Sequence, residues 1–491
     1  MRYITQTYLV PWASASSMLL MMAGAPAQTS PATPAAAATQ HEDALNLIET
    51  WLDAQAAYDR VPALSAGAVV GQKLIWSKAW GNLDHKRRMP ASIDTIYGIC
   101  SISKLFTSVA AMQLWEQGKI GLDDDIGKYV PAFAIQRNDQ DSGPISVREL
   151  LTHSSGLPRE AVGEYWMPPE FKFPTREDML KGLASQTTFM RAADHYLYSN
   201  LGLALVGEVV AAVSGQSYES YVQRNVLDPL QLADTKPSLP VVMSGVRLAQ
   251  GYGAIKRDGT RDPLQLYDAR GLTPAAGFSS TVEDLARFAM WQFRLRKNGG
   301  HEVLKVATLR EMHRIQWTDP DGKTTWGLGF AVSRDGPNTI ASHSGICPGY
   351  LAAISLVLEP EVAVVAMVNA NDNNSAGRYT RPMRQLLIKG LKLPVAPASG
   401  PSLASYAGRY SSQPWESESI IVPWGEGLAQ LDLPTADPAT QMSMLKHVAG
   451  DTFRVRRADD TLGAEFLFQR DAAGQVAGVK VWGQYSKRLA P

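Results

Sequence analysis

Serine, lysine, tyrosine, asparagine and histidine occur together in three short motifs, Ser101-Ile-Ser-Lys104, Tyr198-Ser-Asn200 and His343-Ser-Gly345. A serine hydroxyl is a poor nucleophile at its own pKa and needs a base within hydrogen-bonding reach. A lysine supplies one when burial favours its neutral form. Ser101 opens an apolar run to Gln117 in which Ile102, Leu105, Phe106, Val109, Met112 and Leu114 fall largely at helical spacing, with Gly118 placed to end the helix. On a helix Ser101 and Lys104 share a face. The competing reading of that motif alone is a capping serine and a surface lysine with an outward stem.

Spacing alone does not make a site. Ser443-Met-Leu-Lys446 has the same pattern, but it lies in a stretch that reads as strand, where residues three apart point to opposite faces. It is a decoy. Tyr198-Ser-Asn200 is the one Tyr-x-Asn in the chain and precedes an apolar helical run from Leu201 to Val213 that ends at Ser214-Gly215. A core tyrosine and a helix-capping asparagine are the alternatives there. His343-Ser-Gly345 is the one His-x-Gly; two β-prone runs follow it, from Tyr350 to Leu358 and from Val362 to Val368, separated by Glu359-Pro360-Glu361. The third motif therefore belongs on or beside a strand. His153, within Thr152-His-Ser-Ser-Gly156, is expected to brace the scaffold.

With these motifs, and with Gly118-Lys-Ile-Gly-Leu-Asp-Asp-Asp-Ile126, Leu150-Leu-Thr-His-Ser-Ser-Gly-Leu-Pro158, Gly277-Phe-Ser-Ser-Thr-Val-Glu-Asp-Leu285 and Trp326-Gly-Leu-Gly-Phe330, the chain resembles the penicillin-recognising serine hydrolases. That family includes class C β-lactamases, DD-peptidases, D-aminopeptidases and related esterases. The resemblance runs from about Asn46 to Leu391 and implies an α/β (α+β) sandwich, an antiparallel sheet with a mainly α lobe and the site between them. It makes Ser101 the nucleophile. Lys104 and Tyr198 share the general-base work, with the principal base left open, and Tyr198 protonates the leaving group. Asn200 holds a substrate amide and the Lys104 head group, and His343, Ser344 and Gly345 form the substrate-binding strand. The backbone N–H groups of Ser101 and Ile346 form the oxyanion hole.

His343 stands where most β-lactamases carry lysine. It is expected to titrate near neutrality, as a charged or a neutral donor, and to leave the site less dependent on a substrate carboxylate. A pair of cysteines at the positions of Cys100 and Cys347 is bridged in some class A carbapenemases, so the resemblance implies a Cys100–Cys347 disulfide; two buried free thiols are the alternative. Class A itself fits less well, for want of a Glu-x-x-x-Asn segment of the kind that positions its deacylating water. No Gly-x-Ser-x-Gly elbow of an α/β-hydrolase occurs. The eight histidines show no metal-ligand spacing, and no cofactor is expected. The expected reaction is hydrolysis, through an acyl-enzyme, of a β-lactam, a D-amino-acid amide or peptide, or an ester. A catalytically weak penicillin-binding sensor of the same fold is the alternative.

The length of 491 residues suits one large domain and one small one, and 47 basic against 47 acidic side chains give no electrostatic reason to expect nucleic acid as a partner. The expected partner is a small-molecule or peptide substrate; the oligomeric state is not readable. Arg2, the apolar stretch from Leu9 to Ala23 and Ala25-Pro-Ala27 read as a secretory signal cleaved after Ala27, leaving no stable membrane span and a secreted or periplasmic protein. Residues 28–40 form a Pro/Ala/Thr tether expected to be disordered. Residues 41–393 are expected to form the catalytic domain, 394–402 a linker, and 403–491 a lipocalin-like β domain. The strands of that last domain are read at Gly408-Arg-Tyr410, Ser419–Val422, Leu428–Leu433, Thr452–Val455, Glu465–Phe468 and Val479–Trp482.

Overall fold

The computed structural model describes residues 41–139, 141–372, 375–393, 402–415 and 417–490. The expected signal, the tether and nearly all of the expected linker lie outside the described residues. Chain order begins with helix α1 (Glu42–Tyr58) and the hairpin β1 (Ala63–Val70) and β2 (Lys73–Asp84). Gly71, at φ 58, takes the left-handed conformation that the two-residue turn requires. Helices α2 (Ser103–Glu116), α3 (Val147–Thr152), α4 (Asn200–Ser214) and α5 (Val282–Asn298) follow. After them come β3 (Ala331–Asp335), β4 (Asn338–Cys347), β5 (Tyr350–Val357), β6 (Val362–Val368) and α6 (Gly377–Gly390).

These strands form an antiparallel sheet in the order β2-β1-β6-β5-β4-β3, extended at its two edges by two-residue strands. β6 explains why the sheet is covered on both sides. Its residues are all buried, and Val362, Val364, Ala366 and Val368 face one apolar core while Ala363, Val365 and Met367 face another. Alternate side chains of a strand point to opposite faces, so a continuous apolar run needs a layer on each. α1 and α6 form one layer, and α5 with the helical lobe forms the other. A Cβ on Gly67 would stand 2.5 Å from Val282, so the bare backbone of β1 is what lets α5 seat against the sheet.

The remaining chain is an eight-stranded antiparallel meander: β7 (Gly408–Ser411), β8 (Glu418–Trp424), β9 (Gly427–Leu433), β10 (Ser443–Ala449), β11 (Thr452–Arg456), β12 (Leu462–Arg470), β13 (Val476–Val481) and β14 (Gln484–Lys487). A Tyr410–Arg488 bridge brings the last strand back to the first, which nearly closes a barrel. Ser443 and Lys446 lie on β10, where the decoy motif was expected. Trp482, read as the end of a strand, is instead a turn residue at φ 56, and β14 follows it as a strand the sequence did not suggest.

The barrel is seated on α1. Ile420, Val422, Ala429 and Leu431 from β8 and β9 join the core beneath the sheet, while Ile421 and Leu428 fill the barrel interior. Trp51 of α1 is fully buried there and donates its indole N–H to the Thr435 carbonyl at 3.0 Å. Trp51→Ala is expected to cost about 3–5 kcal/mol, the usual range for emptying a tryptophan-sized core site, read as a lower midpoint in denaturant melts.

Candidate active site

A 3-10 turn over Cys100–Ile102 leads directly into α2, and Ser101 sits on it, partly exposed, at the mouth of a cleft. Lys104, one turn on, is fully buried. Its Nζ lies 3.2 Å from Ser101 Oγ, 2.7 Å from Asn200 Oδ1 and 2.7 Å from the Ala275 carbonyl oxygen. Asn200 Oδ1 and Ala275 O are acceptors only, so they occupy two N–H groups of the amine. The third position of the tetrahedral nitrogen points at Ser101. In the neutral amine that position is a lone pair. Burial drives the Lys104 pKa well below that of an exposed lysine, and the Arg159 charge adds to the effect while Glu160 opposes it.

The second motif reaches the same point from α4. Ser199, not Asn200, caps that helix: its Oγ accepts the Gly202 N–H at 2.8 Å, which leaves Asn200 as the first helical residue with its amide free to face Lys104. Tyr198 lines the cleft beside Ser101, and its ring lies 4.9 Å from Lys104 Nζ and 4.9 Å from the Arg159 guanidinium. Burial raises the pKa of its phenol, with the neighbouring Ser101 hydroxyl and Arg159 acting against that rise. The tyrosine stays protonated at neutral pH.

His153 does brace this arrangement. It is the left-handed C-cap of α3, a helix begun by a Ser146/Glu149 capping box. Its Nδ1 accepts the Ser199 N–H at 3.1 Å and its ring packs 4.2 Å from that of Tyr198.

The third motif lies on β4, as its flanking pattern implied. Gly345 meets the turn that carries Ser101 so closely that a Cβ there would stand 2.1 Å from the Ile99 carbonyl oxygen. Ile346 is half exposed and lines the cleft on both sides of Ser101, and Ser344 lines the part shared with Tyr198. Cys100 and Cys347 are joined in a disulfide with their Cα atoms 5.5 Å apart, which ties the residue before the serine to the residue after Ile346.

His343 departs from expectation. It is 5 % exposed, and burial together with the Lys104 charge pushes its pKa down to about 3, so it does not titrate near neutrality. Its Nδ1 lies 2.7 Å from the Ser344 carbonyl and must carry the proton, which leaves Nε2 as a buried lone pair without a partner among the described residues. At neutral pH the third motif presents no side-chain cation.

The cleft divides at Ser101. One wing, of about 670 Å³, is lined by Tyr198, His343, Trp326 and Tyr196 and extends to Arg381 and Arg384 of α6. The other, of about 500 Å³, is walled by Trp166, Pro168, Phe171 and Leu264, with Glu160 and Asn200 at its base. Arg159, Glu160 and the Ala275 carbonyl were not among the sequence candidates. The first two directly follow the quoted Leu157-Pro158, and Trp326 lies inside another quoted segment, so proximity to those segments was the available signal. Among the described residues no group of three or more His, Cys, Asp or Glu is placed to hold a metal ion, and no single helix is long and apolar enough to cross a membrane.

A two-sided antiparallel sheet, a helical lobe and a Ser/Lys/Tyr cluster between them define a β-lactamase/transpeptidase-like hydrolase fold. A family model described as Beta-lactamase matches residues 48–389, and the chain belongs to that family. It is 30% identical over 303 residues to Beta-lactamase-like protein 2 of Dictyostelium discoideum, covering 60% of this chain and 54% of that protein, so it spans little more than half the length of that relative. Among solved structures it is similar to an octameric penicillin-binding protein homologue from Pyrococcus abyssi, with a TM-score of 0.61 at 22% identity over 90% of this chain and 99% of the other. It is also similar to the D-amino acid amidase of Ochrobactrum anthropi SV3, with a TM-score of 0.59 at 23% identity over 71% and 99%.

The electrostatics and the bridge can each be measured. The ring resonances of His343 should stay flat from about pH 8 down to pH 5; a midpoint near the ordinary histidine value would contradict its burial. His313 is likewise held at about 3 by burial, and His153 is lowered well below its ordinary value. These folded-state values lie below the unfolded 6.5, so the unfolded chain takes up protons first. The stability contributed by the three neutral rings is full above pH 6.5 and is lost as pH falls below it, toward about 3 for His313 and His343, which denaturant melts across that range measure. Cys347→Ser should lower stability by about 2–5 kcal/mol, because the bridge closes a long loop.

Proposed function

We propose that the chain is an exported serine hydrolase that forms an acyl-enzyme on Ser101 and hydrolyses a β-lactam, a D-amino-acid amide or peptide, or an ester. The observation that carries this reading is the coordination of Lys104: two acceptor-only partners and a third direction aimed at Ser101 Oγ. Lys104 takes the hydroxyl proton as Ser101 Oγ attacks the carbonyl carbon. The carbonyl oxygen becomes an oxyanion facing the backbone N–H groups of Ser101 and Ile346. Burial favours the uncharged forms of both Lys104 and Tyr198, which supports Lys104 as the base and Tyr198 as the relay that passes the proton to the leaving group. Water then attacks the ester on Ser101 and releases the acid.

The wing that holds Tyr198 and His343 takes the leaving group, and the aromatic wing takes the acyl group. A neutral His343 supports a site that relies on that residue for shape rather than for charge against a substrate carboxylate. The solved neighbours include an amidase, a β-lactamase/D-alanine carboxypeptidase and the hydrolase EstCE1, which supports the same reaction class for a protein of this fold. Export by the expected signal sequence would bring the chain to an oxidising compartment, which suits a cystine beside the nucleophile.

Time-resolved intact-mass measurement with a chromogenic cephalosporin, a D-alanyl-D-alanine peptide and a p-nitrophenyl ester tests the proposal. At least one compound should turn over or leave an adduct on Ser101, and Ser101→Ala should remove both, with a loss of about 10³-fold or more in turnover. Turnover that survives in Ser101→Ala would overturn the assignment.

A further inference from the structure

A primary amide has the same shape with its oxygen and nitrogen exchanged, so the side chain of Asn200 could offer Lys104 either an acceptor or a donor. Only the acceptor suits the base. What fixes the choice is Glu160, whose carboxylate can only accept: Asn200 Nδ2 donates to Glu160 Oε1 at 2.7 Å, which turns Oδ1 toward Lys104 Nζ. Glu160 is itself held. Its Oε2 accepts from the Tyr165 hydroxyl at 2.7 Å, and that hydroxyl oxygen accepts the Ala161 N–H at 3.0 Å. The Asn200 backbone N–H donates to the Arg159 carbonyl at 2.7 Å, so the 159–165 segment grips both the main chain and the side chain of Asn200.

We propose that Glu160 is a positioning residue for the nucleophile: it locks the Asn200 amide in the one orientation that aims the Lys104 lone pair at Ser101. The proposal rests on the acyl-enzyme reading above. With the amide reversed, an N–H of Asn200 would face the amine. The lone pair of Lys104 would then turn to that donor and away from the serine hydroxyl.

Glu160 also contributes charge. Its carboxylate favours the ammonium form of Lys104 and the Arg159 guanidinium opposes it. The other titratable groups facing Lys104 are Tyr198 just before α4, His153 at the end of α3 and His343 on β4, and these are uncharged at neutral pH. Replacing Glu160 by a neutral isostere therefore both frees the amide and lowers the pH at which Lys104 becomes a base.

The test uses the full chain and a fluorophosphonate probe, with Ser101 labelling followed by intact mass across a pH series in the parent, Glu160→Gln, Glu160→Asp and Ser101→Ala. Glu160→Gln is expected to slow labelling by about tenfold to a hundredfold and to move the acid limb of the profile to lower pH. Glu160→Asp keeps the charge but withdraws the carboxylate, so labelling should slow while the limb stays near that of the parent. A Glu160→Gln limb that coincides with the parent's overturns the proposal whatever happens to the rate, since a merely structural role would leave it in place. Should Glu160→Gln fail to fold, as read by near-ultraviolet circular dichroism, Glu160→Asp labelling at the parent rate overturns it. Ser101→Ala labelling as fast as the parent would instead sink the acyl-enzyme reading itself.

Discussion

A lysine amine with no solvent exposure is the constraint around which this catalytic lobe is arranged. Removing an ammonium from water costs several kcal/mol even after relaxation, and the amine escapes much of that cost by losing its proton. Burial alone would leave an inert side chain. The fold therefore surrounds Lys104 with partners from three separate stretches of chain: Ser101 on the turn that leads into α2, Asn200 from α4 and the Ala275 carbonyl. α2 is buried from Ser103 to Leu114 because it must carry Lys104 into the interior, and the two-sided sheet supplies the layers that cover it.

The same desolvation sets the state of every aromatic and imidazole group nearby. Tyr198 is held as a phenol, and His153 and His343 are held as neutral rings, because each would have to ionise in the dry space around one amine. The cleft thus has chemistry without much charge. Its cations lie at the rim, with Arg159 beside the Tyr198 ring and Arg381 and Arg384 at the far end of one wing. In the proposed reaction, a base and a proton donor that are both neutral at rest exchange a proton with the substrate without first separating charge in a low dielectric.

The three motifs were legible because each pairs unusual residue types with an element that the local pattern predicts: a helix after Ser101, a helix after Asn200, strands after His343. Most barrel strands were legible for the same reason, periodicity bounded by turn residues. What failed was tertiary. His343 titrates near neutrality as a free side chain, and nothing in His343-Ser-Gly345 says that it will be covered. Ala275 contributes a backbone carbonyl, which has no side-chain signature at all. Arg159 and Glu160 look like ordinary surface charges until α4 is packed against them. Trp482 was misread because tryptophan favours strands, although Gly483 beside it marks the tight turn that the structure makes there.

Ser101 and Ile346 are far apart in the chain, and an oxyanion site built from both needs their backbones held to within a fraction of an ångström. Four contacts of different kinds converge on that one junction. Gly345 lets β4 touch the Ile99 carbonyl; the Cys100–Cys347 bridge joins the flanking residues; Ile99 donates its N–H to the Phe278 carbonyl at 2.9 Å; and Ser103 Oγ accepts the Phe278 N–H at 3.0 Å. Cys100, meanwhile, adopts a left-handed φ of 53, a conformation that costs a non-glycine residue about 1–2 kcal/mol. A strained residue persists only where its surroundings over-determine it. The convergence of bridge, glycine contact and two hydrogen bonds on Cys100 and its neighbours is what allows the chain to turn sharply there and present Ser101 outward, with the Lys104 amine already behind it.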